Sequence, residues 1–412
     1  MKPRFLLISP PNSYRIAPYI KAAQRMGLEV LIASTGKHSL ITEVHAGLHI
    51  DFDDMAAAIE TILSEAAIKP FAGILGSDDS TVELAASVAA ELGLPHNPAK
   101  AAQLSCRKDL ARAELALAGA PVPIHCLIDL SKPIKKQMAG LPWPCVIKPL
   151  NLSASRGVIR ANNEKEFIEA CARVKNIIAH ATDEFDRTHV LIEDYIDGIE
   201  IAYEGYLNDG ELHTLTIFDK PEPLTGPYFE ETIYVTPSQL NIDIQESIKQ
   251  TVQLACKIYE LKTGPVHAEL RIDQNNKPWI LEVASRTIGG DCARTLDSDN
   301  GFNVEELTIS LAINKGYEIH KDKGYRGVMM MPIKQGGILR RVEGLSMARN
   351  VEHIESVDIL IRQGNELVPL PEGNQYPGYI FARAESQQKV VSALQEAFSK
   401  LELVVAPVIR PD

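Results

Sequence analysis

Short apolar runs and amphipathic stretches alternate along the first hundred residues. FLLIS (5–9), VLIAS (30–34) and FAGILG (71–76) read as strands, and apolar positions at helical spacing predict helices over about 14–26 and 54–66 between them. Strands separated by helices imply a parallel sheet. SDDSTVELAASVAAELGL continues the pattern, with Ser77, Asp78 or Asp79 able to cap a helix whose alanine-rich face packs inward. The first strand runs into PPNSYR with no GxGxxG behind it, which argues against a nicotinamide cofactor.

A boundary falls near residue 100, beyond which a helical stretch gives way to a segment punctuated by prolines at 121, 123, 133, 142 and 144. CVIK (145–148) and GVIRA (157–161) flank the loop LNLSASR (150–156) and predict a hairpin with an exposed, serine-rich tip. Phe167, Ile168, Cys171, Val174, Ile177 and Ile178 then recur at helical spacing, followed by the strand VLIEDYI (190–196). EIAYEGYL and ELHTLTIF flank Asn208-Asp209-Gly210, a hairpin signal. A helix over 245–261, the hairpin VHAELRI/PWILEV and a helix over 303–315 come next. From about 325, VMMMPI, VDILI, GYIFARA and a helix near 386–400 make a small α+β tail. The expected division is 1–100, 101–190, 191–320 and 321–412, without internal repeats.

Composition narrows the function classes. The 412 residues are 45% hydrophobic and 23% charged, which is ordinary for a globular chain of two or three domains. Lys and Arg number 42 against 54 Asp and Glu, and the net charge of -12 speaks against nucleic acid or an anionic membrane as the main partner. The six cysteines form no CxxC pair, so neither a disulfide framework nor a structural zinc site is indicated. No export signal and no run of roughly 18 apolar residues occurs, and a cytoplasmic location is expected.

The hairpin VHAELRIDQNNKPWILEV carries the sharpest chemical signal. Along its first strand His267, Glu269 and Arg271 share one face, and on the second Ile280 and Glu282 oppose Trp279, Leu281 and Val283. A two-residue turn at Asn275-Asn276 sets Glu269 opposite Glu282. Two carboxylates about 5 Å apart across strands repel unless a cation lies between them. Oxygen ligands without a nearby Cys suit Mg²⁺ or Mn²⁺; the alternatives are a solvated acidic face, or a turn one residue longer that offsets the pair. Arg286 follows where the chain leaves the strand and is able to hold phosphate oxygens, or is a plain surface arginine. Lys148 ends a strand before a loop of small and hydroxyl residues that lets backbone N–H groups approach phosphates, or is simply solvated.

In order and spacing, these pieces resemble the ATP-grasp superfamily over nearly the whole chain, specifically its carboxylate-amine ligases of the L-amino-acid (dipeptide) ligase type. The resemblance implies an ATP-grasp fold, α/β and α+β in several domains: an N-terminal parallel α/β domain, two ATP-grasp parts and a small C-terminal α+β domain. It implies ATP and Mg²⁺ (or Mn²⁺) as cofactors, with Lys108 and Lys148 on phosphates and Ser153, Ser155 and Gly157 in a closing loop. Glu193, Tyr195 and Ile196 would hold adenine, mainly through backbone groups, and Glu200 the ribose hydroxyls. Glu269 and Glu282 match the metal-binding acids and Arg286 the arginine that steadies an acyl-phosphate. The family usually writes E-x-N-x-R here. Ala284 takes the Asn position, leaving water or Ser285 to substitute. Between hinge and hairpin, Glu230 or Glu231 would pair with a substrate amino group while Phe229 and Tyr234 line its pocket; His267 would bind substrate or merely pack.

The implied reaction passes the γ-phosphoryl of ATP to a carboxylate, and an amine then displaces phosphate to form an amide bond. Its partners are small-molecule carboxylates and amines, and a homodimer is allowed. A carboxylase or purine-biosynthetic member of the same fold, and a nucleotide-sensing module without turnover, are the competing readings.

Overall fold

A computed structural model describes residues 2–11, 13–36, 47–320 and 322–408. Asn12 of PPNSYR, residues 37–46, residue 321 and the last four positions of the tail lie outside them. The N-terminal apolar runs form β1 (Arg4–Ile8), β2 (Glu29–Ser34) and β4 (Gly73–Gly76), with β3 (Gly47–His49) beside them in the all-parallel order β3-β2-β1-β4. All five residues of β1 are buried, as befits a parallel strand covered on both faces. Helices α1 (Ile16–Arg25), α2 (Met55–Ile68) and α3 (Asp79–Glu91) lie between and after these strands. Of the three candidate caps of α3, Asp78 takes the position, in a capping box with Thr81. Asp79 is thereby the first helical residue, and its carboxylate is left for another partner.

Helix α4 (Lys108–Leu117) leads into β5 (His125–Asp129), β6 (Cys145–Pro149), β7 (Ile159–Ala161) and β8 (His189–Asp194), an antiparallel sheet ordered β5-β8-β6-β7. Helix α5 (Glu164–Ile178) packs Phe167, Cys171 and Val174 on this sheet. The rest of the chain supplies β9 (Ile199–Asn208), β10 (Glu211–Asp219), β11 (Ile233–Thr236), β12 (Gly264–Ile272), β13 (Pro278–Ala284), β14 (Tyr325–Met330), β15 (Gly337–Glu343), β16 (Ile354–Ile359), β17 (Glu366–Leu367), β18 (Gly378–Ala384) and β19 (Glu402–Ala406). Eight of these form one antiparallel sheet, β13-β12-β9-β10-β11-β14-β18-β16, and the strands of the tail therefore continue the sheet of the central segment. The turn between β9 and β10 places Asp209 and Gly210 at φ 50° and 81°, the left-handed pair that Asn-Asp-Gly predicts.

One face of the large sheet is apolar. Helix α6 (Ile242–Tyr259) sets Val252, Cys256 and Tyr259 against Ile201, Val266, Leu270 and Ile280 there. Helix α7 (Val304–Ala312) brings Ile309 and Ala312 onto Phe5 and Leu7, tying the N-terminal sheet to this unit, and α8 (Gln387–Ser399) covers Val235 and Ile380 with Val390 and Leu394. The polar face of β9, β12 and β13 looks into a cavity. No helix among the described residues is long and apolar enough to cross a membrane.

Candidate active site

The hairpin β12–β13 does not turn at two residues. Its last pair is Ile272 with Pro278, Asp273 N–H donates to Lys277 O (3.1 Å), and Asn276 takes φ 60°, so the loop is one residue longer than expected. That slips the register by one and would offset the two acids. A β-bulge at Leu281 slips it back, so Leu270 pairs with Ile280 but Glu269 pairs with Glu282. The bulge also breaks the expected alternation: Ile280 stays in the core with Val283, whereas Leu281 and Glu282 both line the cavity. The buried guanidinium of Arg112, from α4, fixes it by donating to Ile280 O and Leu281 O, each at 2.8 Å.

On its other side β12 pairs with β9, matching Arg271 with Glu200, Glu269 with Ala202 and His267 with Glu204. Arg271 Nε donates to Glu200 Oε2 (2.9 Å), and His267 Nδ1 stands 2.9 Å from Glu204 Oε1. From the end of β10, Lys220 extends its ammonium to Glu200 Oε1 (2.8 Å), to Glu231, and to Glu269 Oε1 (3.3 Å). Carboxylate atoms of Glu200, Glu231 and Glu269 lie within 4.8 Å of one another around this ammonium. Burial alone would lower the Lys220 pKa, but the three acids hold it well above its ordinary value. Burial, then Glu269, pushes the Glu231 carboxyl up to about 7. Burial works to raise Glu269 as well, yet Lys220 and His267 keep it well below the usual carboxylate range. For His267, Glu204 and Glu269 outweigh burial and raise the imidazole to about 9.

These contacts correct one expectation. The facing acids do not need a divalent ion merely to coexist, because each has its own cation: Lys220 for Glu269, and Lys108 at 3.2 Å for Glu282.

The cavity measures about 670 Å³ and is lined by Lys108, Lys148, Ser153, Ser155, Glu193, Tyr195, Ile196, Glu200, Phe229, Glu231, Tyr234, His267, Glu269, Glu282 and Arg286. Two expected residues stand apart from it. Glu230 turns toward Ile333, Val368 and Gly373 in a separate crevice. Gly157 sits at the base of the loop at φ 72°, where an added Cβ would lie 2.7 Å from Pro149 Cγ, and its N–H donates to Pro371 O (2.9 Å). The loop tip is not free either. Arg156 Nε donates to Glu372 O (2.9 Å), and Glu372 is gripped by Arg173 of α5 at 2.5 and 2.9 Å, although Ser153 remains exposed.

Lys148 Nζ lies 2.6 Å from Glu193, whose carboxylate is 1% exposed and also accepts from Arg112 Nε at 2.6 Å. Burial would raise the Glu193 pKa, but Arg112 and Lys148 bring it down to about 2. Thus Glu193 engages the site through its side chain, beyond the backbone role expected of it. Further along this segment, Tyr195 N–H donates to Pro144 O (3.0 Å) and Ile196 O accepts from Arg271 (2.9 Å). Arg160 and Arg271 both stack their guanidinium groups over the Tyr195 ring, at 3.9 and 4.8 Å from its centre.

Arg286 makes a two-pronged ion pair with Asp79, at 2.6 and 2.9 Å. Arg15, also from the N-terminal unit, donates to Thr287 Oγ1 (2.5 Å) and Ile288 O (2.9 Å), fixing the segment after Arg286. Ser285 does not replace the ligand missing at Ala284: its hydroxyl lies 2.8 Å from Ser105 Oγ, and it lines a different crevice.

Lys220, Arg112, Asp79 and Glu204 escaped the sequence reading as site residues. Glu204 was accessible to it, since Glu200, Ala202 and Glu204 share a strand face as His267, Glu269 and Arg271 do. Nothing local marks the other three.

Three family descriptions match in succession: an ATP-grasp N-terminal domain over residues 20–96, an ATP-grasp domain over 141–295 and an L-amino acid ligase C-terminal domain 2 over 329–406. Protein y4rH of Sinorhizobium fredii is 21% identical over 393 residues, covering 94% of this chain and 80% of that protein. The alanine–anticapsin ligase of Bacillus subtilis is 24% identical over 268 residues, 61% of this chain, which thus spans just over half (56%) of that ligase. In fold, the L-amino acid ligase of Bacillus licheniformis superposes with a TM-score of 0.82 at 24% identity, covering 98% of this chain and 100% of that one. Phosphoribosylglycinamide synthetase of Anaerococcus prevotii does so with a TM-score of 0.71 at 16% identity and the same coverage. Domain order, fold and matched families lead to one conclusion: the chain belongs to the ATP-grasp superfamily, among its carboxylate-amine ligases.

Proposed function

We propose that this chain is an ATP-dependent ligase that joins the carboxylate of an amino acid or related small acid to an amine through an acyl-phosphate, releasing ADP and phosphate. The observation that carries this reading is the convergence of Lys108, Lys148, Glu269, Glu282 and Arg286 on one cavity. Phosphoryl transfer asks for positioning and charge neutralisation rather than a covalent nucleophile, and the wall supplies both.

Lys108 and Lys148 are the cations for the nucleotide phosphates, and the loop bearing Ser153 and Ser155 closes over them, excluding water that would hydrolyse the intermediate. The Glu269–Glu282 pair, all oxygen and facing one space, fits a hard divalent ion. Mg²⁺ or Mn²⁺ held there would neutralise charge on the β- and γ-phosphates. Arg286 meets the oxygens of the transferred phosphoryl group, with Asp79 setting its plane. In the first step the γ-phosphorus leaves the β-phosphate oxygen for a carboxylate oxygen. In the second the amine nitrogen bonds the acyl carbon and phosphate departs, the amine proton going to solvent. Glu231, rather than Glu230, faces the cavity to meet a substrate ammonium, with Phe229 and Tyr234 beside it.

Incubating the protein with ATP, Mg²⁺ and pairs of amino acids, with ADP and product mass as readouts, tests the proposal. ADP release that needs two substrates and a product lighter than their sum by one water supports it. Tight ATP binding without turnover on any pair, or turnover driven by bicarbonate, overturns it.

A further inference from the structure

The loop that carries Ser153 and Ser155 is bent against its own preference. Ala154 and Ser155 at its tip take φ 54° and 53°, left-handed values that a residue with a Cβ keeps only where its surroundings impose them. Within the loop, Ser153 O and Ser155 O accept from the N–H groups of Arg156 (3.2 Å) and Val158 (3.1 Å). The remaining hold comes from the segment between β17 and β18. Pro371 O accepts from Gly157 N–H and Glu372 O from Arg156 Nε, each at 2.9 Å, and Ala154 shares a crevice with Leu370, Gly373 and Asn374.

The side chain of Glu372 sets where those two carbonyls stand. Its carboxylate receives both prongs of Arg173, at 2.5 and 2.9 Å, and Arg173 also donates to the Tyr228 hydroxyl. Two parallel bonds fix the plane of the carboxylate as well as its distance, and they hold the Glu372 carboxyl below its ordinary range. The pair is half-exposed, so it adds little to the stability of the whole chain. Its effect is local. Arg173 belongs to α5, the helix packed on β6 and β7, the strands that flank the loop. Just beyond Glu372, residues Asn374, Gln375 and Tyr376 line the cavity. One short segment of the C-terminal unit thus touches the phosphate loop and the cavity wall together.

We propose that Glu372 is a positioning residue for the lid: paired with Arg173, it holds its own carbonyl and that of Pro371 against Arg156 and Gly157, keeping the serine loop shut during turnover. The inference rests on the ligase reading above, which supplies the nucleotide and the acyl-phosphate that the lid covers. With the latch lost, water reaches the acyl-phosphate. Its oxygen bonds the acyl carbon, the bond from that carbon to the phosphate oxygen breaks, phosphate departs, and the free acid returns its proton to solvent. One ATP is then consumed without an amide bond. A general loss of stability lowers ADP and product together, whereas a lid defect separates them.

Two readouts on the full chain test this. In Glu372→Gln and in Arg173→Gln, the ADP formed per product should rise by about 3-fold or more. The double variant should be no worse than either single one, because the two side chains act as a pair. Trypsin gives a readout that needs no activity, since Arg156 lies in the lid. Cleavage after Arg156 should be about 3- to 5-fold faster in either variant, with other tryptic sites cut at parental rates, because nicking of a loop follows the population of its open form. An ADP-to-product ratio that stays at the parental value overturns the inference and leaves the ligase reading standing. If the parent makes no product from any amino-acid pair, the ligase reading falls. Cleavage after Arg156 then decides the latch by itself, and parental rates in both variants overturn it.

Discussion

Glu269 and Glu282 face each other across β12 and β13 because two departures from a regular hairpin cancel: a turn one residue too long, and a bulge at Leu281. The first moves Glu282 out of line and the second restores it. The acids' meeting is thus a property of the pair of irregularities, and Arg112 holds the second through two backbone carbonyls.

Deleting Leu281 should therefore leave the acids facing each other. With the extra residue gone the ladder runs on regularly from Leu270–Ile280 to Glu269–Glu282, and ADP formation should stay within about 10-fold of the parent, the loss coming from the carbonyl that Arg112 no longer reaches. Glu282→Ala should instead lower it by about 100-fold or more. Steady-state ADP release with circular dichroism as a fold control separates the two; a folded deletion variant as inactive as Glu282→Ala would mean that facing Glu269 is not what places Glu282 in the site.

Arg112→Leu leaves Glu193 buried with Lys148 as its remaining cation and releases the bulge. Breaking a buried ion pair from one side costs about 3 to 5 kcal/mol, measurable by urea denaturation. Adding Glu193→Gln should recover part of the loss, since the uncompensated charge is then gone.

Acid should expose the same residue. With its pKa lowered to about 2 in the folded chain, Glu193 contributes stability that is complete above the unfolded carboxylate range and is lost as pH falls from about 4.5 to about 2. The contribution is about 3 kcal/mol, and Glu193→Gln should flatten that part of the stability profile in denaturation at pH 3 to 6. An unchanged slope would mean that the carboxylate is not held by Arg112 and Lys148.

Arg286→Ala should lower kcat by about 10² to 10³-fold, the usual loss for a donor aimed at transition-state charge. Asp79→Asn keeps the guanidinium but weakens its orientation, so a smaller loss of about 10-fold is expected, with little change in the KM for ATP. If Asp79→Asn instead raises activity, the ion pair is a restraint on Arg286 rather than its positioner.

The secondary elements that matter were legible where patterns are local. Alternation in HAELRI placed His267, Glu269 and Arg271 on one face, and Asn-Asp-Gly marked the β9–β10 turn. The parallel N-terminal sheet followed from apolar runs separated by helices. What failed were inferences that assume regularity. Strict alternation put Ile280 with Glu282, whereas the bulge sends one to the core and the other to the cavity. Adjacency offers Ser285 as a substitute ligand, yet its neighbour is Ser105, 180 positions away in sequence.

By itself the sequence determined which residues share a strand face, where the chain turns and which side chains can carry charge near phosphate, because those depend on neighbours a few positions apart. Only the tertiary structure decided how the charges are compensated. Lys220 among three acids, Arg112 on Glu193 and the bulge, Asp79 on Arg286 and Glu204 behind His267 are all set by packing between distant segments. Burial makes each partnership obligatory, since an ionised group taken out of water must find its opposite charge wherever the fold brings one.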